Sequence, residues 1–216
     1  KLAEAEPLYL EALEGRRRLS GPDDRLVILS IGNMGFLLQA QGKLAAAEPY
    51  FREAMDRSRV VMGERDPYTL KSISNYGSLL QQQERSAEAE PFLREVLEKR
   101  RHVLGEDHPD TLRSMANLAV LLNQTGRYSE AEPLFLEALD KAKRRWPPDH
   151  PFVIQATGNL GQLLLKEGKL SEAEPFLRDA LERDRRTLTA DHPDTLVSMC
   201  RLAELRCDQR EFAESE

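Results

Sequence analysis

Cysteine is nearly missing from this 216-residue chain: Cys200 and Cys207 are the only two. Two thiols near one end build no disulfide framework, and they read as reduced and cytoplasmic. Seven apart on an expected helix, about two turns, they share a side but lie too far apart to bridge. Aromatic residues make up only 6% of the chain, while 31% is charged. No apolar run approaches the ~20 residues of a membrane span, and no signal-peptide pattern opens the sequence. A basic excess is also missing, since 31 Lys and Arg against 37 Asp and Glu leave a net charge of −6. Phosphate neutralisation favours a basic footprint, so nucleic acid is not the expected partner, and neither is a membrane.

Catalytic signatures are absent as well. The sequence holds no Gly-rich phosphate loop, no HExxH and no nucleophile elbow. It therefore reads as not an enzyme, with no catalytic residues and no cofactor. Of the four histidines, His108, His150 and His192 lie one repeat apart. Stacking at roughly 8–10 Å per packed helix keeps them from a shared metal ion, whose ligands must approach to about 2 Å. They read as linker histidines near helix caps, with no metal site.

What the chain does have is a fixed repetition. Ala-Glu-Pro occurs five times, with its proline at Pro7, Pro49, Pro91, Pro133 and Pro175, a constant step of 42 residues. Pro67, Pro109, Pro151 and Pro193 keep the same step, and so do Asn33, Asn75, Asn117 and Asn159. Self-similarity at such a period marks one supersecondary unit stacked on copies of itself. A stacked array buries its core between neighbours, so it tolerates high charge and few aromatics.

Within a unit, Leu112, Met115, Leu118, Ala119 and Leu122 recur at helical spacing. Gly126 follows as a C-cap signal, and Gly42 and Gly168 hold the same place, whereas Glu84 and Arg210 depart from it. A second apolar stripe, Ala131, Leu134, Phe135, Ala138 and Leu139, ends before Trp146-Pro147-Pro148. Each unit is thus two antiparallel helices. The linker proline suits the first turn of the first helix, with Asp107, Asp149 and Asp191 as expected N-caps. The Ala-Glu-Pro proline falls inside the second helix, which is expected to run through it with a slight bend.

Basic clusters such as Lys99-Arg100-Arg101 and Lys143-Arg144-Arg145 close the second helices, where cations suit the helix dipole. Glu53–Arg57, Glu95–Lys99, Glu137–Lys141 and Asp179–Arg183 are spaced for intrahelical pairs. With acids crowding the helix starts, an acidic edge and a basic edge are expected.

The pattern Ile31-x2-Met34-Gly35-x2-Leu38 followed by Ala47-x3-Phe51, repeated as Met115-x2-Leu118-Ala119-x2-Leu122 and Ala131-x3-Phe135, resembles the tetratricopeptide repeat. The 42-residue period, Ala-Glu-Pro and the Leu104–Leu112 motif are similar to the kinesin light chain class of that family. The resemblance covers essentially the whole chain. It implies an all-α fold, a right-handed solenoid of stacked antiparallel helix pairs with about ten helices. The expected layout is one array: a second helix over 1–20, helix pairs over 24–62, 66–104, 108–146 and 150–187, and an incomplete repeat over 192–216. Small residues Gly35, Gly77, Gly161, Ala47 and Ala89 mark close helix approaches.

The resemblance further implies that the asparagine ladder faces a concave groove lined by first helices. An Asn side chain both donates and accepts, so it can grip a peptide backbone whatever its side chains. Steps of ~9 Å match about three residues of extended peptide at ~3.3 Å each. The candidate peptide-binding set is Asn33, Asn75, Asn117 and Asn159 with Lys71, Arg113, Gln155, Gln81, Asn123, Gln162, Lys166 and Arg201. Its positive charge suggests an acidic ligand. The expected function is a scaffold holding a protein or peptide partner. The alternatives are a self-assembly element, associating end to end through truncated repeats, and a regulatory or sensor segment of a larger protein.

Overall fold

The computed structural model describes residues 2–215, with side chains described for residues 4–209. Ten helices follow one another among the described residues: α1 (Leu2–Ser20), α2 (Arg25–Ala40), α3 (Leu44–Met62), α4 (Pro67–Gln82), α5 (Ser86–Leu104), α6 (Pro109–Gln124), α7 (Tyr128–Arg145), α8 (Pro151–Lys166), α9 (Leu170–Thr187) and α10 (Pro193–Ser215). Two compact units divide the chain, Lys1–Ser114 and Met115–Glu216. In the first, α1 packs on α2, α2 on α3, α3 on α4 and α4 on α5; in the second, α7 packs on α8, α8 on α9 and α9 on α10. The fold is all-α, built from consecutive helix pairs.

The tight turn inside each pair has one backbone solution. The amide of Lys43 donates to the carbonyl of Leu38, and that of Gly42 to Gln39. Arg85 to Leu80 and Glu84 to Gln81, Arg127 to Leu122 and Gly126 to Asn123, and Lys169 to Leu164 and Gly168 to Leu165 repeat it. This pairing closes the carbonyls left open at a helix end and requires one left-handed residue. Gly42, Gly126 and Gly168 supply it at φ 75–76°, and Glu84 adopts φ 62° with no glycine to relieve the crowding. At Arg210 no turn forms, and α10 runs on to Ser215. The segment aligned by sequence with the opening of a second helix therefore continues a first one.

The interior prolines Pro7, Pro49, Pro91, Pro133 and Pro175 all lie inside helices that run through them. All five are exposed, so the carbonyl that loses its amide partner faces water.

The expected N-caps require correction. His150 caps α8, its Nδ1 accepting from the amide of Phe152 at 3.2 Å. His108 accepts from Asp110 at 3.1 Å and His192 from Asp194 at 3.2 Å. Asp66 and His150, directly before their prolines, hold the extended cap conformation, and His108 and His192 make the same bond, so Asp107, Asp149 and Asp191 sit one position too early. Where the cap position holds an aspartate, as at Asp66 before Pro67 and Asp24 before Arg25, the carboxylate caps instead.

Packing explains the small residues. A Cβ on Gly35 would meet the Phe51 ring at 3.0 Å, one on Gly77 would meet Leu93 at 3.0 Å, and one on Gly161 would meet Leu177 at 2.8 Å. First and second helices of a pair thus touch backbone to side chain. Phe51, Leu93, Phe135 and Leu177 are fully buried at the same repeat position, each worth about 1.5–3 kcal/mol of apolar burial.

Charge closes the stack. All four anticipated intrahelical pairs form: Glu53–Arg57 at 2.8 Å, Glu95–Lys99 at 2.5 Å, Glu137–Lys141 at 2.7 Å and Asp179–Arg183 at 2.8 Å. Three of these cations also reach back to the preceding linker, Arg57 to Asp23, Lys99 to Glu64 and Arg183 to Asp149. In the first unit the helix-end arginines cross to the next second helix, Arg17 to Glu53 at 2.9 Å and Arg59 to Glu95 at 2.8 Å. Much of the basic clustering is therefore spent on internal partners.

Candidate peptide-binding face

The first helices carry the candidate residues because each has one apolar face turned to its pair and one left over. In the first unit, Asn33 on α2 is exposed and Asn75 on α4 is half-buried. Neither side chain forms a hydrogen bond to another described residue, so both keep their donor and acceptor. Lys71 lies over the Phe36 ring at 5.7 Å, one turn beyond Asn33 along α2, and so joins α4 to α2 on this face. Gln81 is half-buried at the end of α4. Arg113 is exposed and pairs loosely with Asp110 at 3.9 Å.

The second unit gathers its candidates more tightly. Asn123, Asn159, Gln162, Lys166 and Arg201 line one cleft of about 320 Å³ together with Val120, Gln124, Tyr128 and Phe135. Gln155 is exposed outside it and Asn117 is half-buried. Asn159 is only 8% exposed, and its Oδ1 accepts from the Arg201 guanidinium at 2.9 Å. Arg201 occupies the ladder position of the next repeat, so the departure from asparagine places a cation at the last rung.

The electrostatics of this cleft are specific. Burial pulls Arg201 below the usual guanidinium value, and the carboxylates of Asp184, Asp194 and Glu204 oppose that pull. Yet Arg201 forms no ion pair among the described residues, and its hydrogen bond goes to a neutral amide. Lys166 is bound by Glu204 at 2.5 Å, a bond that raises the ammonium above its ordinary value. Asn123 Oδ1 is buried without a hydrogen-bond partner, an unmade bond that costs roughly 1–3 kcal/mol until a donor arrives. Gly158 makes room for Arg201, since a Cβ there would stand 2.7 Å from a guanidinium nitrogen.

A second cleft lies where sequence reading did not look. Arg52, Met55, Asp56 and Arg59 on α3, Tyr76 and Leu80 on α4, and Glu88 and Phe92 on α5 enclose about 420 Å³. Arg52 donates to the Tyr76 hydroxyl at 2.7 Å, and Tyr76 meets the Phe92 ring edge-on at 5.0 Å. Tyr76 stands where the other complete pairs have Met34, Leu118 and Leu160, and that substitution was its one visible signal.

Among the described residues no cluster of three His, Cys, Asp or Glu could hold a metal ion, and no helix is long and apolar enough to cross a membrane. Cys200 and Cys207 are free and exposed.

The geometry agrees with known structures. BtubC (BKLC) of P. vanneervenii superposes with a TM-score of 0.79 at 21% identity, covering 98% of this chain and 85% of that one. The nearly identical TPR-like repeats of a Podosopora anserina kinesin light chain-like protein give 0.72 at 21% identity, covering 87% and 89%. The apo form of RapI gives 0.75 at 14% identity, covering 87% and 65%. At these identities the likeness is one of fold. No curated protein matches the sequence. The tetratricopeptide repeat profile matches residues 1–59, 25–102, 68–144 and 145–216. With the profile spanning the chain and the helix pairs built as described, this protein belongs to the tetratricopeptide repeat family.

Proposed function

We propose that the chain is a peptide-binding scaffold that holds an extended partner segment against its first helices. The fold is one that generally mediates protein–protein contacts. The observation that carries the reading is the convergence of Asn123, Asn159, Gln162, Lys166 and Arg201 on one cleft. In each unit two ladder asparagines grip the ligand backbone, Asn33 and Asn75 in the first and Asn117 and Asn159 in the second. At ~9 Å per step this is one grip for about every three residues of extended chain. Because Asn33 and Asn75 have no side-chain partner among the described residues, holding the helix stack does not account for them.

Carboxylates beside Arg113 and Lys166 temper the net charge of the face, so recognition rests on backbone bonds first and on acidic side chains second. The test is a random peptide display selection on the wild-type chain, repeated with Asn33, Asn75, Asn117 and Asn159 changed to Ala. Peptides recovered on the wild type should lose binding to the variant. Equal binding to both would contradict the reading.

A further inference from the structure

The Arg201–Lys166 cleft contains two cations in unlike states. Lys166, on α8, is neutralised by Glu204 of α10 at 2.5 Å. Arg201, three residues before Glu204 on α10, is half-buried and bonds only the neutral Oδ1 of Asn159. Carboxylates flank it, but none lies within ion-pair distance among the described residues. Glu204 is therefore an acid that already occupies one of the cleft's two cations, Lys166, from within the chain. Its side chain is 38% exposed, and Lys166 is 45% exposed, so a surface pair of this kind holds weakly.

We propose that Glu204 is an internal competitor at this cleft, standing in for an acidic side chain of the ligand, and that Arg201 is the residue that selects that side chain. The proposal rests on the peptide-binding reading above. An incoming Asp or Glu carboxylate bonds the Arg201 guanidinium and takes Lys166 from Glu204, which swings to solvent. Asn123 Oδ1, buried and unbonded, accepts a backbone N–H of the same ligand segment. The cleft thus reads an acid flanked by peptide amide, and an isolated anion satisfies only half of it. The cost of displacing Glu204 sets a threshold that weakly acidic segments do not cross.

The competitor has a defined signature. Glu204→Gln keeps the side chain's size and removes the charge, so acidic peptides should bind about three- to fivefold tighter. Arg201→Asn restores the ladder residue and should weaken them tenfold or more. Gly158→Ala keeps the guanidinium but pushes it out of place, so it should mimic Arg201→Asn.

A random peptide display library is selected on the wild type, and recovered peptides are titrated against all three variants, with free and amidated C-termini and with each acid changed to its amide. The expected result is Asp and Glu enrichment on the wild type, tighter binding to Glu204→Gln and loss of the acid preference on Arg201→Asn. Amidated peptides should bind as well as free acids, because the acid read is a side chain. Peptides recovered without acid enrichment, or with affinities unmoved by Glu204→Gln, would overturn the proposal and leave the scaffold reading standing. A preference confined to free C-termini would also overturn it, by assigning the cleft to a terminal carboxylate. Failure to recover any binding peptide would sink the scaffold reading itself.

Discussion

Arg201 and Asn159, one repeat apart, share a hydrogen bond of 2.9 Å between guanidinium and amide oxygen. This single bond separates the last rung of the asparagine ladder from the first two. Asn159 is engaged within the chain, whereas Asn33 and Asn75 have no described side-chain partner. Asn159→Ala should lower stability by about 1 kcal/mol, the scale of one net hydrogen bond. Asn33→Ala and Asn75→Ala should change it by less than about 0.5 kcal/mol. Urea unfolding of the three variants checks the contrast.

Glu84 is held at φ 62° in a turn that three other repeats build with glycine. Left-handed backbone costs an L-residue roughly 1–2 kcal/mol, part of which glycine gives back as unfolded-state entropy. Glu84→Gly should therefore raise stability by about 0.5–1 kcal/mol, read as a higher denaturant midpoint with an unchanged slope.

Imidazole caps three first helices. His150→Ala removes the acceptor for the Phe152 amide and should cost about 1 kcal/mol. His150→Asn should retain most of that stability, because a side-chain oxygen again reaches the amide. If the two variants melted alike, the stacking of His150 on Trp146 at 4.6 Å would be its larger contribution.

Gly161 faces Leu177 with room for no further carbon. Gly161→Ala should destabilise by about 1–3 kcal/mol through overpacking, even though alanine is the better helix former. Calorimetry of this variant beside Gly158→Ala is informative. At Gly158 the obstructing atom is the end of a flexible arginine, and alanine's better helix propensity offsets the displaced Arg201–Asn159 bond, so that variant should keep its Tm.

Acid should loosen the stack in a defined direction. Glu64 is held below the ordinary carboxylate value of 4.5 by its bond to Lys99, and Glu6 likewise by Lys43. Lowered folded-state values mean stability that is complete above the unfolded value and lost as pH falls through the folded one. Tm should hold near pH 6 and drop progressively below about pH 4.5. Added salt should shrink the drop, because these pairs are largely exposed.

The helix pairs were legible in the sequence because one pattern repeats in register. Prolines, glycines and apolar stripes agree on where each helix starts and stops, and i,i+4 charge spacing gave the four intrahelical pairs. Three features escaped it for physical reasons. Backbone geometry puts the cap next to the proline, so histidine caps where aspartate was expected. Glu84 shows that tertiary packing can enforce a left-handed residue with no glycine to announce it. Bonds from Arg17, Arg57 and Arg59 to acids 34–36 residues away depend on how neighbouring repeats stack, and short-range spacing does not report that. The candidate face was legible as a set of positions, but the unequal burial of its four asparagines was not.

The most direct measurement follows the side-chain amide NMR resonances of Asn33, Asn75, Asn117 and Asn159 while a display-selected peptide is titrated into the labelled chain. Saturable shifts at these amides, with the residues of the Arg52–Phe92 cleft unmoved, are the predicted result. Shifts confined to Arg52, Tyr76 and Phe92, with the four asparagine amides still, would place the ligand in the cleft between α3, α4 and α5 and contradict the account.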